Sequence, residues 1–265
     1  MSLFRPIEVR GRRLGDGRVP AICIPLIART AAALEAELAA ALRESPDIVE
    51  WRADHFLAGN PTEPNPAAAV MAIAQRLRSL AKDIPLIFTL RSAREGGETL
   101  SIDALAATAL IESMAGSQQF EFVDIELALE ESRVLQIIEA AHGVGAQVIL
   151  SSHDFSGTPS TDDIFERLRR CATLGADVAK VAVMPQSADD VLALLAATSR
   201  AQREIALPVI TMAMGPLGVL TRVFGGVFGS ALSFASGLAA SAPGQLPAQE
   251  LRAAFQLVRS RSLPR

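Results

Sequence analysis

Short, nearly unbroken apolar runs alternate along the chain with longer segments in which apolar residues recur every three or four positions. The runs are Ala21–Leu26, Ile48–Arg52, Leu86–Arg91, Phe120–Glu126, Gln147–Ser151, Asp177–Val183, Pro208–Met212 and Gly229–Ala235. Being short, rich in Val, Ile and Phe, and without strict alternation, they predict strands covered on both faces. Between them, steps such as Leu34–Leu38–Leu42, Val70–Ile73–Leu77–Leu80 and Ile164–Leu168–Ala172 predict amphipathic helices. The stretch 218–224 predicts only a short helix. Eight strands joined by helices predict a single α/β domain over residues 1–265, a (β/α)8 TIM barrel. A doubly wound sheet fits less well, because Ile27-Ala28-Arg29-Thr30 after the first strand lacks a glycine fingerprint. Ahead of that strand, Gly11 and Gly15-Asp16-Gly17 predict turns of a hairpin within residues 1–19 that plugs the bottom of the barrel.

Composition narrows the functional classes. The chain has 265 residues, half of them hydrophobic, and a net charge of −4. A core is affordable, and no basic field exists to hold nucleic acid or an anionic membrane. No apolar run approaches the roughly 18 residues of a spanning helix, and the charged start lacks a signal-peptide pattern. Cys23 and Cys171 read as buried small residues rather than a disulfide framework. A soluble, cytoplasmic protein is expected. The three histidines show no metal-binding spacing, so no metal site is expected.

In a barrel of this kind, chemistry belongs to the C-terminal ends of the strands. There the chain places Glu50-Trp51-Arg52, Arg91 with Glu95 after it, Asp124-Ile125-Glu126, Ser151-Ser152-His153-Asp154 and Met212. Strand alternation sets Glu50 and Arg52 on one side and Trp51 on the other. Each charge also has a purely structural reading: Glu50 with Arg52 as a rim ion pair, Asp124 and Glu126 as partners of arginines, Asp54 as a loop anchor. His55 and His142 fit only that reading.

Lys180 is harder to explain structurally. Only two of the 25 basic residues are lysines, and this one interrupts Ala179-Lys180-Val181-Ala182-Val183. A buried ammonium is costly unless paired or neutralised. A neutral amine condenses with carbonyl groups, which arginine, never deprotonated, does not do. The alternative is a lysine paired to Glu126.

These segments together resemble type I 3-dehydroquinate dehydratases, imine-forming lyases of the shikimate and quinate pathways, along nearly the whole chain. The resemblance rests on Glu50-Trp51-Arg52-Ala53-Asp54, on the run 88–97, on Ser152-His153-Asp154-Phe155, and on Lys180-Val181-Ala182-Val183-Met184-Pro185. Met214-Gly215, Thr221-Arg222, Phe228-Gly229-Ser230 and Ser241-Ala242-Pro243-Gly244-Gln245 extend it to the last quarter. Ser152, where an aromatic residue often stands, and Thr221, where serine often stands, depart from the family pattern. The resemblance implies Lys180 as the imine-forming amine, His153 as general acid and base, and Glu95 as its orienting group. It implies Arg222 on the substrate carboxylate, with Glu50, Arg52 and Arg91 on the ring hydroxyls. Ser241 and Gln245 would belong to a closing loop, and Phe234, Met212 and Ala242 to the apolar wall. It implies no cofactor, a small carboxylate substrate and a homodimer, for which apolar helix faces such as Ala239-Ala240 are the candidate surface. Two other readings remain at this point. A class I aldolase would need a phosphate nest near the last two strands, from Gly215, Gly218, Gly225 and Gly226. A ligand-sensing barrel would form no covalent adduct.

Overall fold

The computed structural model describes residues 6–14 and 19–261, excluding the side chains of 260 and 261. Eight parallel strands form the barrel: β3 (Ala21–Leu26), β4 (Ile48–Arg52), β5 (Leu86–Thr89), β6 (Phe122–Glu126), β7 (Gln147–Asp154), β8 (Val178–Val183), β9 (Val209–Ala213) and β10 (Leu232–Phe234). They pair in chain order, and β10 returns beside β3. The last seam, between β9 and β10, is drawn together by a Val209–Ser230 bridge and by Ala231 N–H donating to the Val209 carbonyl at 2.8 Å. Around the strands lie α1 (Ala31–Arg43), α2 (Ala53–Gly59), α3 (Pro66–Ala81), α4 (Ala104–Ala115), α5 (Glu131–Gly143), α6 (Thr161–Thr173), α7 (Ala188–Glu204), α8 (Val219–Phe228) and α9 (Ala248–Arg261).

Alternation along each strand divides the core in two. Outward residues such as Ile24, Trp51, Phe88, Ile125 and Val181 join the helices in one apolar layer. Inward residues near the strand starts, among them Ile48, Ile87, Phe122, Ile149, Val178 and Ile210, fill the barrel floor. One inward step later the chemistry changes. Ile48 gives way to Glu50, Ile87 to Thr89, Phe122 to Asp124, Ile149 to Ser151 and Val178 to Lys180. A polar layer thus rests on an apolar floor, held there by the two-residue period of the strands.

The floor is capped by the expected hairpin, β1 (Ile7–Val9) against β2 (Arg12–Leu14), whose Ile7, Val9 and Leu14 are buried among the floor residues. Its turn is Arg10-Gly11, both with positive φ, as a two-residue type I′ turn requires. The Arg10 side chain ion-pairs with Glu121 at 2.6 Å. Residues 15–17, the other expected turn, lie outside the described residues.

Several boundaries differ from expectation. β7 runs three residues beyond Ser151, carrying His153 on the strand, and β5 stops two residues short of Arg91. α8 spans ten residues rather than a short turn. Gly225 and Gly226 weaken its helix propensity, but they fall on its buried face, where their small size lets the helix sit close to the sheet. Ala239-Ala240 lie in an exposed loop after β10 and not on a helix face.

Candidate active site

The polar layer opens at the C-terminal ends of the strands into a cleft of about 480 Å³. All twelve site residues expected from the sequence line it: Glu50, Arg52, Arg91, Glu95, His153, Lys180, Met212, Arg222, Phe234, Ser241, Ala242 and Gln245. Gly96, Phe155, Ala182 and Met214 also line it. All four lie inside the quoted motifs; Gly96, Phe155 and Ala182 carried no signal of lining, whereas Met214 is legible as pocket wall, being the next inward position after Met212.

Lys180 projects inward between Val178 and Ala182 and is buried. Its Nζ donates to Asp124 Oδ2 at 2.8 Å and stands 4.0 Å from Glu50 Oε1 and 4.6 Å from the centre of the Phe234 ring. The structural alternative of a lysine paired to Glu126 is not what forms; the partner is Asp124. Glu126 accepts instead from Arg91 and from the Ser92 N–H, one step nearer the mouth. The expectation of an unpaired amine is corrected with it, since the nitrogen is ion-paired while still lining the cleft.

His153 is fixed by Glu95, whose Oε2 lies 2.8 Å from Nδ1 and accepts the His153 backbone N–H at 3.0 Å. Both contacts fall on one side of the residue, leaving Nε2 as the ring nitrogen available to a ligand. Burial, then the Arg91 and Lys180 cations, hold the imidazole well below its ordinary pKa. Burial and repulsion from Glu126 push Glu95 up to about 7, with Arg91 opposing. A neutral imidazole beside a carboxyl poised near neutrality suits proton transfer.

The arginines are used differently. Arg91 is shared among Asp124, Glu126 and Glu95, at 2.7, 3.3 and 3.8 Å. Arg52 forms two 2.8 Å hydrogen bonds to Asp54, which also accepts from the Glu98 backbone, so Asp54 anchors a loop and an arginine as expected. The Glu50–Arg52 ion pair considered from sequence does not form. Glu50 accepts instead from the Thr89 hydroxyl at 2.8 Å. Arg222 is 1% exposed. Among the described residues it donates only to the carbonyls of Phe234 and Pro243, and its Nε has no partner. Burial alone lowers it to about 10. A desolvated guanidinium with no carboxylate beside it is a seat for an anion.

Ser241 and Gln245 brace each other across the loop that follows β10, at 2.8 and 2.9 Å. The loop sits against the β9 turn, where Gly215 N–H donates to the Pro243 carbonyl at 3.2 Å. Neither departure from the family pattern reaches the cleft lining. Ser152 faces Arg167 outside the barrel, and Thr221 Oγ1 binds the Gly218 carbonyl and the Ala213 N–H. His55 and His142 lie elsewhere, beside Asp54 and Asp177 respectively. The glycines considered for a phosphate nest are engaged within the protein. Gly215 and Gly218 donate to carbonyls, and Gly225 and Gly226 lie inside α8.

Comparison with known proteins agrees with this geometry. The family model described as Type I 3-dehydroquinase matches residues 22–262. The 3-dehydroquinate dehydratase of Albidiferax ferrireducens is 42% identical over 259 residues, covering 98% of this chain and 96% of that protein. The crystal structure of the 3-dehydroquinate dehydratase from Geobacillus kaustophilus superimposes with a TM-score of 0.92 at 39% identity, covering 99% of this chain and 100% of that one. A type I enzyme from Clostridium difficile, solved with covalently modified comenic acid, gives 0.90 at 37% identity, over 98% and 100% of the two chains.

Proposed function

This chain belongs to the type I 3-dehydroquinase family, and from that premise we propose that its cleft removes water from 3-dehydroquinate through an imine on Lys180, giving 3-dehydroshikimate. The observation that carries the reading is the cleft's content. An amine, an imidazole oriented through Nδ1 and a counterion-free guanidinium open onto one small space.

Arg222 receives the substrate carboxylate, while Glu50, Arg52 and Arg91 meet its hydroxyls. The Lys180 nitrogen adds to the C3 ketone, and water departs to leave a protonated imine. That imine draws electrons from C2, and His153 Nε2 removes the C2 proton, forming an enamine. The enamine returns its electrons to expel the C1 hydroxyl, which leaves as water with the proton that His153 now carries. A second water hydrolyses the imine and restores the amine, so one water is lost overall. The loop bearing Ser241 and Gln245 keeps bulk water from the imine until then.

The aldolase reading loses its nest, and the neighbours that carry out sugar-phosphate chemistry share only the fold, at 18% identity or less. A cytoplasmic location belongs to the same proposal. Among the described residues no helix is long and apolar enough to cross a membrane. So does a homodimer, for which the exposed stripe Leu220, Phe224 and Val227 on α8 offers an apolar face, and a monomer mass in sedimentation would remove it.

Reduction by cyanoborohydride in the presence of 3-dehydroquinate should leave a covalent adduct on the Lys180 peptide, and Lys180→Ala should leave none. His153→Ala should still form the adduct slowly while turnover falls by roughly 10³-fold. An adduct that survives in Lys180→Ala would overturn the assignment.

A further inference from the structure

Asp124 has no part in the scheme above, yet it is the centre of the polar layer. It is 1% exposed, and its carboxylate accepts three hydrogen bonds from charged or hydroxyl donors. Oδ2 takes Lys180 Nζ at 2.8 Å, while Oδ1 takes Arg91 at 2.7 Å and the Ser151 hydroxyl at 2.6 Å. Arg91 and Ser151 fix the carboxylate from two other elements, so its second oxygen is aimed at the lysine nitrogen. Competing anions are spoken for. Glu50 Oε1 is 4.0 Å from that nitrogen and already accepts from Thr89, and Glu126 is turned to Arg91 and Ser92.

Resting on Lys180 as the imine-forming residue, we propose that Asp124 is a positioning residue and the standing counter-ion of the Lys180 nitrogen, kept ionised throughout and holding the proton on the imine. Of the three hydrogens of an ammonium, two leave in the water formed with the ketone oxygen. One stays on the iminium together with the positive charge. That last N–H points to Asp124 Oδ2, which accepts the hydrogen bond and takes no proton. An iminium is a stronger acid than the ammonium it came from. In a dry barrel it loses its proton, and with it the electron demand that acidifies C2–H, unless an anion sits beside it.

The surroundings agree. Burial opposes the charge on Asp124, but Arg91 and Lys180 outweigh it and hold the carboxyl well below the usual carboxylate range, so it is a poor base and a durable anion. The other charged or titratable groups around the nitrogen are Glu50 from β4, Cys23 from β3, and Arg91 and Glu95 from the segment after β5. Arg52 and His153 lie towards the mouth. Cys23, its thiol pushed up by burial, stays neutral. Arg91 is buried among Asp124, Glu126 and Glu95 and keeps its charge.

The test follows the protonated imine through its reduction by cyanoborohydride, read by intact mass from about pH 6 to about pH 9 on the full chain with 3-dehydroquinate. The wild-type chain should trap evenly across this range. Asp124→Asn, close in shape but uncharged, should trap well at the acid end and lose trapping as pH rises, with kcat down on the order of 100-fold and KM changed only a few-fold. Ser151→Ala, which removes one hydrogen bond to Oδ1 but leaves the charge, should keep the wild-type pH profile. Equal profiles in Asp124→Asn and wild type would overturn the proposal, as would a Ser151→Ala profile that falls like that of Asp124→Asn. No adduct in wild type would instead sink the reading of Lys180. If Asp124→Asn does not fold, Asp124→Glu decides. A retained profile with reduced kcat supports the counter-ion, and a profile lost despite the carboxylate overturns it.

Discussion

Glu95 illustrates how a single side chain serves chemistry at a cost in stability. Its two contacts to His153 select the tautomer that leaves Nε2 for the substrate, but burial and Glu126 make its ionised form expensive. An acid whose folded-state pKa is raised favours folding below its ordinary value. That contribution is lost as pH climbs from about 4.5 to about 7. At about 1.4 kcal/mol per unit, the loss is about 3 kcal/mol. Glu95→Gln keeps the shape and cannot ionise, so it should gain on wild type in stability between pH 5 and pH 8. His153, held well below its ordinary pKa, contributes in the opposite sense, its share lost as pH falls below about 6.5, and Glu95→Gln alters that share too because the two side chains touch. Turnover should fall by about 10- to 100-fold, because glutamine leaves the ring less firmly oriented. Denaturant melts at both pH values check this, and parallel stabilities for the two proteins would show that the Glu95 carboxyl carries no such burden.

Among the elements, the loop after β10 makes the sharpest demand on sequence. Gly244 has φ +79°, and a Cβ added there would lie 2.3 Å from the Gly215 carbonyl oxygen. Gly244→Ala should therefore lift the loop from the β9 turn, carrying Ser241 and Gln245 away from the mouth. KM should rise by roughly tenfold or more, with thermal stability changed little because the loop is partly exposed, and steady-state kinetics beside a melting curve separate the two. Unchanged KM would mean that this loop does not grip the substrate. The elements also show what one dimension conveys. Apolar runs gave the strands because a strand buried on both faces has no alternative composition, and motif order brought twelve cleft residues together. What escaped was distance across the barrel. Asp124 and Glu126 face inward from the same strand, and only the stagger of β6, β7 and β8 decides that Asp124 is level with Lys180. The length of α8 escaped because Gly225-Gly226 reads as a break until a close helix–sheet contact explains it. The hairpin turn was half legible, since glycine marked it but an arginine gives no sign that it will take a positive φ.

At the scale of the whole molecule, stability and chemistry occupy opposite ends of one barrel. Below the polar layer, Ile7, Val9 and Leu14 of the hairpin close an apolar floor made of inward residues near the strand starts. Above it, most inward positions of β4 to β8 are polar or charged, and the charges there are held by one another and by hydroxyls rather than by the hydrophobic core. The floor therefore supplies folding energy that the mouth spends on buried ions, an arrangement expected when the same sheet must be both scaffold and reagent. Leu14→Ala tests the division. Leu14 is 4% exposed and removed from the cleft lining, so truncating it should leave a void under the floor and cost about 2–4 kcal/mol in unfolding experiments. Turnover and KM at a temperature where the variant is folded should stay within about twofold of wild type, because the polar layer is positioned by the strands and by its own hydrogen bonds. A large loss of turnover without a loss of stability would show that the hairpin sets the level of Lys180 and Asp124 in the barrel, and that floor and mouth are a single unit.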